Sequence, residues 1–129
     1  MIIVDETMSG QRLRSFSIEE HLRERLTVRE IIRARIWQEV QEYNARQRTA
    51  SFEGLIRPTD EEQRLNGDKA RAFKPIDWER QYATALRAFE TNGFFILIGE
   101  RQAESLDEEF DIGAEAEVSF LRLVPLVGG

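Results

Sequence analysis

The chain has 129 residues, of which 41% are hydrophobic and 33% are charged, and its formal net charge is −6 at pH 7. This size suits one domain with a single core, and the acidic balance argues against nucleic acid as the main partner because phosphate binding needs a basic face. The sequence has no cysteine and a single histidine, His21, which excludes disulfides, thiol chemistry and cysteine-rich zinc sites. The apolar runs are too short to span a membrane and no leader-like segment opens the chain, so we expect a cytoplasmic protein without membrane contact.

Two short β-prone runs open the chain, at 1–4 and 12–18. The stretch Met8-Ser9-Gly10-Gln11 between them is typical of a turn. We therefore predict an N-terminal hairpin.

The clearest local signal is a helix start at Thr27. Thr27 and Glu30 have the spacing of a capping box, and Leu26 and Ile31 that of a hydrophobic staple. Apolar residues then recur at helical spacing, which predicts a helix over 27–45 with one face on a core. The charged side chains of this segment are assigned to its water-facing side: Arg29, Arg33, Arg35, Glu39 and Glu42.

The segment 46–75 is polar and lacks periodicity, which indicates a long loop insertion. After it, Asp77 is placed to cap a second helix, and Asn92-Gly93 is placed to end it. The insertion as a whole is taken as 46–93.

The third part of the chain is again sheet-like. The apolar run 94–98 predicts a central strand buried on both faces, 100–115 is acidic and loop-like, and 117–124 predicts a final strand. This order of elements favours an α+β fold in which the first and last strands pair in parallel, joined by a right-handed crossover through the first helix. That helix then covers one face of the sheet.

The chemistry of the chain is predicted to lie at its carboxyl end. Pro125 cannot donate to a strand ladder, so it is expected to end the sheet and release 125–129 as a flexible tail. Gly128 and Gly129 have no side chains, so they can enter a narrow slot in a partner's active site. We expect the Gly129 carboxylate to be the substrate of another enzyme, and we assign no catalytic residue and no metal ligand to the chain itself.

The second half of the sequence resembles ubiquitin-like β-grasp proteins, including prokaryotic ubiquitin-like modifiers. The resemblance rests on 95–102, 105–112, 118–121 and the terminal Gly128-Gly129. The predicted hairpin and the helix start at Thr27 fit the first half of the same family. The resemblance covers about 1–45 and 94–129 in all. The tail 120–129 is also similar to the sulfur carriers of thiamine and molybdopterin synthesis.

The resemblance implies a single β-grasp domain over 1–129, with a mixed sheet packed on one long helix. It implies an adenylating partner of the ubiquitin-activating type, which uses ATP while the chain itself binds no cofactor. Pro125, Leu126 and Val127 would contact that partner, and the sheet face near Phe120 and Arg122 would be a docking surface.

Two fates of Gly129 follow from the resemblance. In a protein modifier, Gly129 passes by thioester to a conjugating enzyme and then to an amine of a target protein. In a sulfur carrier, it becomes a thiocarboxylate that serves a sulfur-acceptor synthase subunit. The modifier is favoured because the insertion exceeds a minimal carrier, and the two lysines, Lys69 and Lys74, favour attachment of single copies.

A third hypothesis is a β-grasp interaction module that never activates its tail. A metal or acid–base site in the acidic run 107–111 is a weaker alternative, because an exposed acidic loop explains that run more simply. His21 without a second histidine or cysteine makes a poor metal site.

Overall fold

The computed structural model describes residues 1–18, 23–46, 55–57, 75–122 and 126–127. Within these ranges the chain forms two helices, α1 (Val28–Ala45) and α2 (Trp78–Glu90). The strands are β1 (Ile2–Glu6), β2 (Arg12–Ser17), β3 (Arg25–Thr27), β4 (Ile56–Arg57), β5 (Phe95–Ile98), β6 (Arg101–Gln102), β7 (Glu109–Asp111), β8 (Glu117–Leu121) and β9 (Leu126–Val127).

Five strands form a mixed sheet in the order β2-β1-β8-β5-β6. β1 and β8 are parallel, with Ile3 opposite Val118, and the other neighbours are antiparallel. The α+β class and the parallel pairing of the first and last sheet strands are therefore confirmed. The strand predicted over 117–124 is β8, and it ends at Leu121, three residues before the predicted boundary.

The predicted hairpin is present as β1 and β2. Its turn is closed by the amide of Gly10, which donates to the carbonyl of Thr7 at 2.9 Å, and by the amide of Thr7, which donates to Gln11 at 2.9 Å. Gly10 has φ +91°, a backbone conformation that a residue without a side chain adopts at little cost.

Helix α1 begins as the sequence predicts. The Thr27 hydroxyl accepts from the Glu30 amide at 3.1 Å, and the Glu30 carboxylate accepts from the Thr27 amide at 3.1 Å. Leu26 and Ile31, the predicted staple pair, are both buried. The apolar face of α1 joins Ile3 and other residues of the sheet in one core.

Helix α2 is also capped as predicted, with the Asp77 carboxylate accepting from the Glu79 amide at 3.0 Å. It ends in a Schellman arrangement, in which the amide of Gly93 donates to Ala88 at 2.7 Å and Asn92 takes φ +62°. Asn92 and Gly93 therefore stop the helix for the predicted reason.

Helix α2 packs on α1 through aromatic side chains, and two hydrogen bonds join α1 to the segment just before α2. The rings of Trp37 and Trp78 meet edge to face at 5.0 Å between centroids. The Asn44 side chain donates to the Ile76 carbonyl at 3.1 Å and accepts from the Ile76 amide at 3.0 Å. Helix α2, which belongs to the insertion, is thus joined to α1.

Two sequence-based expectations need correction in this part of the fold. β5 lies next to the centre of the sheet, and it is not buried on both faces, since Ile96 is fully buried but Phe95 and Leu97 are half-buried. The loop predicted over 100–115 contains β6 and β7, and β7 pairs antiparallel with β3, which the sequence did not indicate. A three-residue strand is too short to show an alternating pattern.

No helix within the described ranges is long and apolar enough to cross a lipid bilayer.

Candidate functional site

A buried ion-pair network lies between α1 and the sheet. Arg35 of α1 is fully buried, and its guanidinium donates to both carboxylate oxygens of Asp5 in β1, at 2.5 and 2.8 Å. Asp5 is also fully buried. This two-pronged geometry is the strongest form of arginine–carboxylate contact.

Three further charged residues complete the network. Glu39 lies one turn after Arg35 and accepts from its Nε at 3.2 Å. Arg14 of β2 donates to Asp5 at 3.1 Å and also to Glu39, and Arg122 donates to Asp5 at 3.4 Å. Among the described residues, three guanidinium groups thus share two carboxylates.

Aromatic rings line the network on the sheet side. The Arg35 guanidinium lies 4.5 Å from the ring centroid of Phe120 and 5.5 Å from that of Phe16. Arg14 lies 5.0 Å from the Phe16 ring as well. The cations are therefore held both by carboxylates and by ring faces.

The protonation of the network follows from these contacts. Burial by itself raises the pKa of Asp5, but the hydrogen bond and the charge of Arg35, with smaller contributions from Arg122 and Arg14, outweigh burial and leave the pKa of Asp5 below its ordinary value. Burial lowers the pKa of Arg35, and the Glu39 and Asp5 carboxylates more than reverse this effect. Both groups of the central pair are therefore charged at neutral pH.

The sequence-based assignment of Arg35 and Glu39 to the water-facing side of α1 is wrong. Both side chains are buried, at 0% and 8% exposure. At 3.6 residues per turn they project among Ile31, Ile32 and Ile36, so helical geometry alone places them on the apolar face. The sequence analysis placed them in water because they are charged. A charged side chain is buried only with a partner, and the partner of Arg35, Asp5, is 30 residues away along the chain.

The network also anchors part of the insertion. The Leu55 amide donates to Glu39 at 3.2 Å, and the Leu55 carbonyl accepts from Arg122 at 3.3 Å. Leu55 and Ile56 are fully buried. The expectation of a loop over 46–75 is therefore wrong at Ile56–Arg57, which form a strand, and Leu55 and Ile56 belong to the core.

The tail residues Leu126 and Val127 pair with this anchored segment. β9 lies parallel to β4, with Leu126 opposite Ile56 and Val127 opposite Arg57. The tail predicted to be flexible over 125–129 is therefore a strand at these two positions. Pro125, Gly128 and Gly129 lie outside the described residues.

The structure leaves little of Phe120 and Arg122, the two residues of the predicted docking surface, in contact with solvent. Phe120 faces α1 and has no exposed surface, and the Arg122 side chain is only 12% exposed because it belongs to the network. In β8 the side chains alternate between faces, so Ser119 and Leu121 are the neighbours that point away from the helix.

The acidic run 107–111 pairs with arginines. Asp107 contacts Arg29 at 3.3 Å, and Arg25 contacts both Glu109 and Asp111, at 2.7 and 3.0 Å. No cluster of three metal-ligating side chains occurs within the described part of the chain, and His21 lies outside it.

Comparison with known proteins gives no match, whether with protein families, with curated proteins or with solved structures.

Proposed function

We propose that this chain is a ubiquitin-like β-grasp protein that acts as a protein modifier. An ATP-dependent activating enzyme adenylates the Gly129 carboxylate, and the activated chain is transferred by thioester to amines of target proteins. The observation that carries the proposal is the Gly128-Gly129 pair after an apolar run. The proposal includes Gly129 as the carboxyl end of the working protein.

The architecture supports the proposal by analogy. A mixed sheet with parallel first and last strands, crossed by a helix on one face, is compatible with the β-grasp arrangement. Because a fold hosts many functions, this compatibility alone assigns none. The chemistry rests on the tail.

The proposed reaction has three steps on the Gly129 carbonyl. The carboxylate oxygen attacks the α-phosphorus of ATP, and pyrophosphate leaves. A thiolate of the activating enzyme then attacks the acyl adenylate, forms a thioester and releases AMP. A neutral target amine attacks the thioester and forms an amide bond, and its proton passes to the leaving thiolate, which departs as the thiol. Glycine favours each attack, since it has no side chain beside the reacting carbon.

Conjugates would carry a diagnostic remnant. Trypsin cleaves after arginine, and Arg122 precedes the tail, so digestion leaves 123–129 attached to the modified amine. The experiment captures the native protein with antibodies from the organism that makes it, because a tag at Met1 would disturb an amine that donates to Ala114 at 2.9 Å. Mass spectrometry then searches the digest for this remnant on lysine.

A pair of glycine variants provides the control. Gly129→Ala adds a methyl group beside the reacting carbon. We expect it to reduce the yield of conjugates about tenfold or more, which corresponds to roughly 1.4 kcal/mol in the activation free energy. Gly113→Ala adds the same group where nothing lies within 4 Å and is expected to behave as wild type. An unconjugated chain that has exchanged one terminal oxygen for sulfur would assign the carrier function instead. Native protein with neither change would refute activation and favour the interaction module.

A further inference from the structure

The carboxyl tail and the insertion meet in one short pair of strands. β4 comes from the insertion and β9 from the tail, and the two segments are parallel over two residues each. The tail residues Leu126 and Val127 directly precede the glycines of the proposed reactive end. Any partner that draws the tail into a narrow slot must take these two residues with it.

The β4 side of this pair is anchored in the core. On the β4 side, Leu55 is bonded through its amide to Glu39 and through its carbonyl to Arg122, and the Leu55 and Ile56 side chains are fully buried. The ladder joins Leu126 and Val127 of β9 to this core-anchored segment.

We infer that the pairing of β4 with β9 is a latch that withholds the tail from its activating enzyme. This inference rests on the proposed function. A backbone engaged in a ladder cannot at the same time lie extended in an enzyme slot, so activation proceeds from the open form. A ladder of two residues has only a few hydrogen bonds, each of small net strength, so the closed form exceeds the open one on the order of tenfold to a hundredfold. The apparent affinity for the enzyme falls by the same factor.

The absence of cysteine from the sequence allows a clean covalent test of the pairing. In the double variant Arg57→Cys/Val127→Cys the two thiols stand at directly opposed positions, where the Cα separation of neighbouring strands suits a disulfide. The mismatched control is Leu13→Cys/Val127→Cys, since Leu13 is an exposed residue of β2 outside this strand pair. The equilibrium constant for disulfide formation is measured against glutathione in both variants.

We expect the matched pair to close at least about a hundredfold more favourably than the mismatched pair, because the ladder holds its thiols together. Equal constants would show that the strands do not pair in solution and would overturn the inference. This readout needs no activating enzyme, so it is independent of the proposed function.

The second readout is activation itself. Oxidised and reduced forms of the matched variant are incubated with ATP and a dialysed extract of the source organism, with Val127→Cys alone as the control for the altered tail. We expect the disulfide to abolish modification at Gly129 and reduction to restore the level of the single variant. Equal modification of the oxidised and reduced forms would overturn the latch while leaving the proposed function intact. Failure of the wild-type chain to be modified would refute the proposed function and, with it, the regulatory role, whatever the disulfide measurement shows.

Discussion

Two of the regions in which arginine pairs with carboxylates have completely different surroundings. Between α1 and the sheet, Arg35 and Asp5 lie 2.5 Å apart and both are fully buried. Along β3 and β7, Arg25 contacts Glu109 at 2.7 Å, but the two side chains are 59% and 52% exposed. The contact distances are alike, so the comparison isolates the effect of water.

The difference shows that contact distance alone does not determine how much each ion pair matters for the stability of the fold. Water screens the exposed pair and hydrates either partner when the other is removed. In the buried pair, removal of Arg35 leaves the Asp5 carboxylate away from water, with only its longer contacts to Arg14 and Arg122. Loss of one partner of a buried pair is far more costly than the intact pair is stabilising. Three measurements test this contrast, from the largest expected effect to the smallest.

The largest effect is expected from Arg35→Met. This change keeps an unbranched apolar stem but leaves Asp5 and Glu39 buried without their main counterion. Breaking a buried pair in this way lowers the free energy of unfolding by about 3–5 kcal/mol, a large part of the roughly 5–15 kcal/mol available to a domain. Urea denaturation followed by circular dichroism measures the loss. An unchanged midpoint would show that water reaches the network.

The second effect is a loss of stability in acid that depends on Asp5. The pKa of Asp5 is lower in the folded chain than its ordinary value of 3.8, so the unfolded chain binds the proton more tightly. The stability contributed by this group is therefore complete above the ordinary value and is lost as the pH falls through the lower folded value. Urea midpoints recorded from neutral pH into this acid range are expected to fall less steeply in Asp5→Asn than in wild type. Parallel curves would assign the acid sensitivity to other carboxylates.

The smallest effect is expected from Arg25→Met, the exposed counterpart of the first variant. Its partners Glu109 and Asp111 remain in water, so the urea midpoint should stay within experimental error of wild type. Raising the salt concentration should remove any residual difference, because exposed charges are screened. A loss comparable to that of Arg35→Met would contradict the contrast between the two regions.

The sequence predicts those parts of the fold whose causes are local. The capping box at Thr27, the cap at Asp77 and the stop at Asn92-Gly93 each act within a few residues, and all three are confirmed. The parallel pairing of the first and last sheet strands also follows from element order and handedness.

The sequence fails where the cause is a partner far along the chain. Arg35 is buried against Asp5 of β1, and Leu55, which precedes strand β4, is bound through its backbone by Glu39 and Arg122. Short strands such as β4 and β7 have no pattern of their own. The same reasoning separates the two halves of the candidate site: the chemistry of Gly129 is proposed from local sequence, whereas the pairing of the tail required the fold.

The parallel pair at the middle of the sheet also has consequences for how fast the chain folds. β1 and β8 bring Ile2 opposite Glu117, so nearly the whole chain must form one loop before this ladder exists. The β1–β2 hairpin and both helices need only short loops and can form earlier. We therefore expect substitutions that weaken the β1–β8 interface mainly to speed unfolding, and those within α1 to slow folding, in stopped-flow measurements. The reverse pattern would place closure of the chain ends early, before the elements between them are in place.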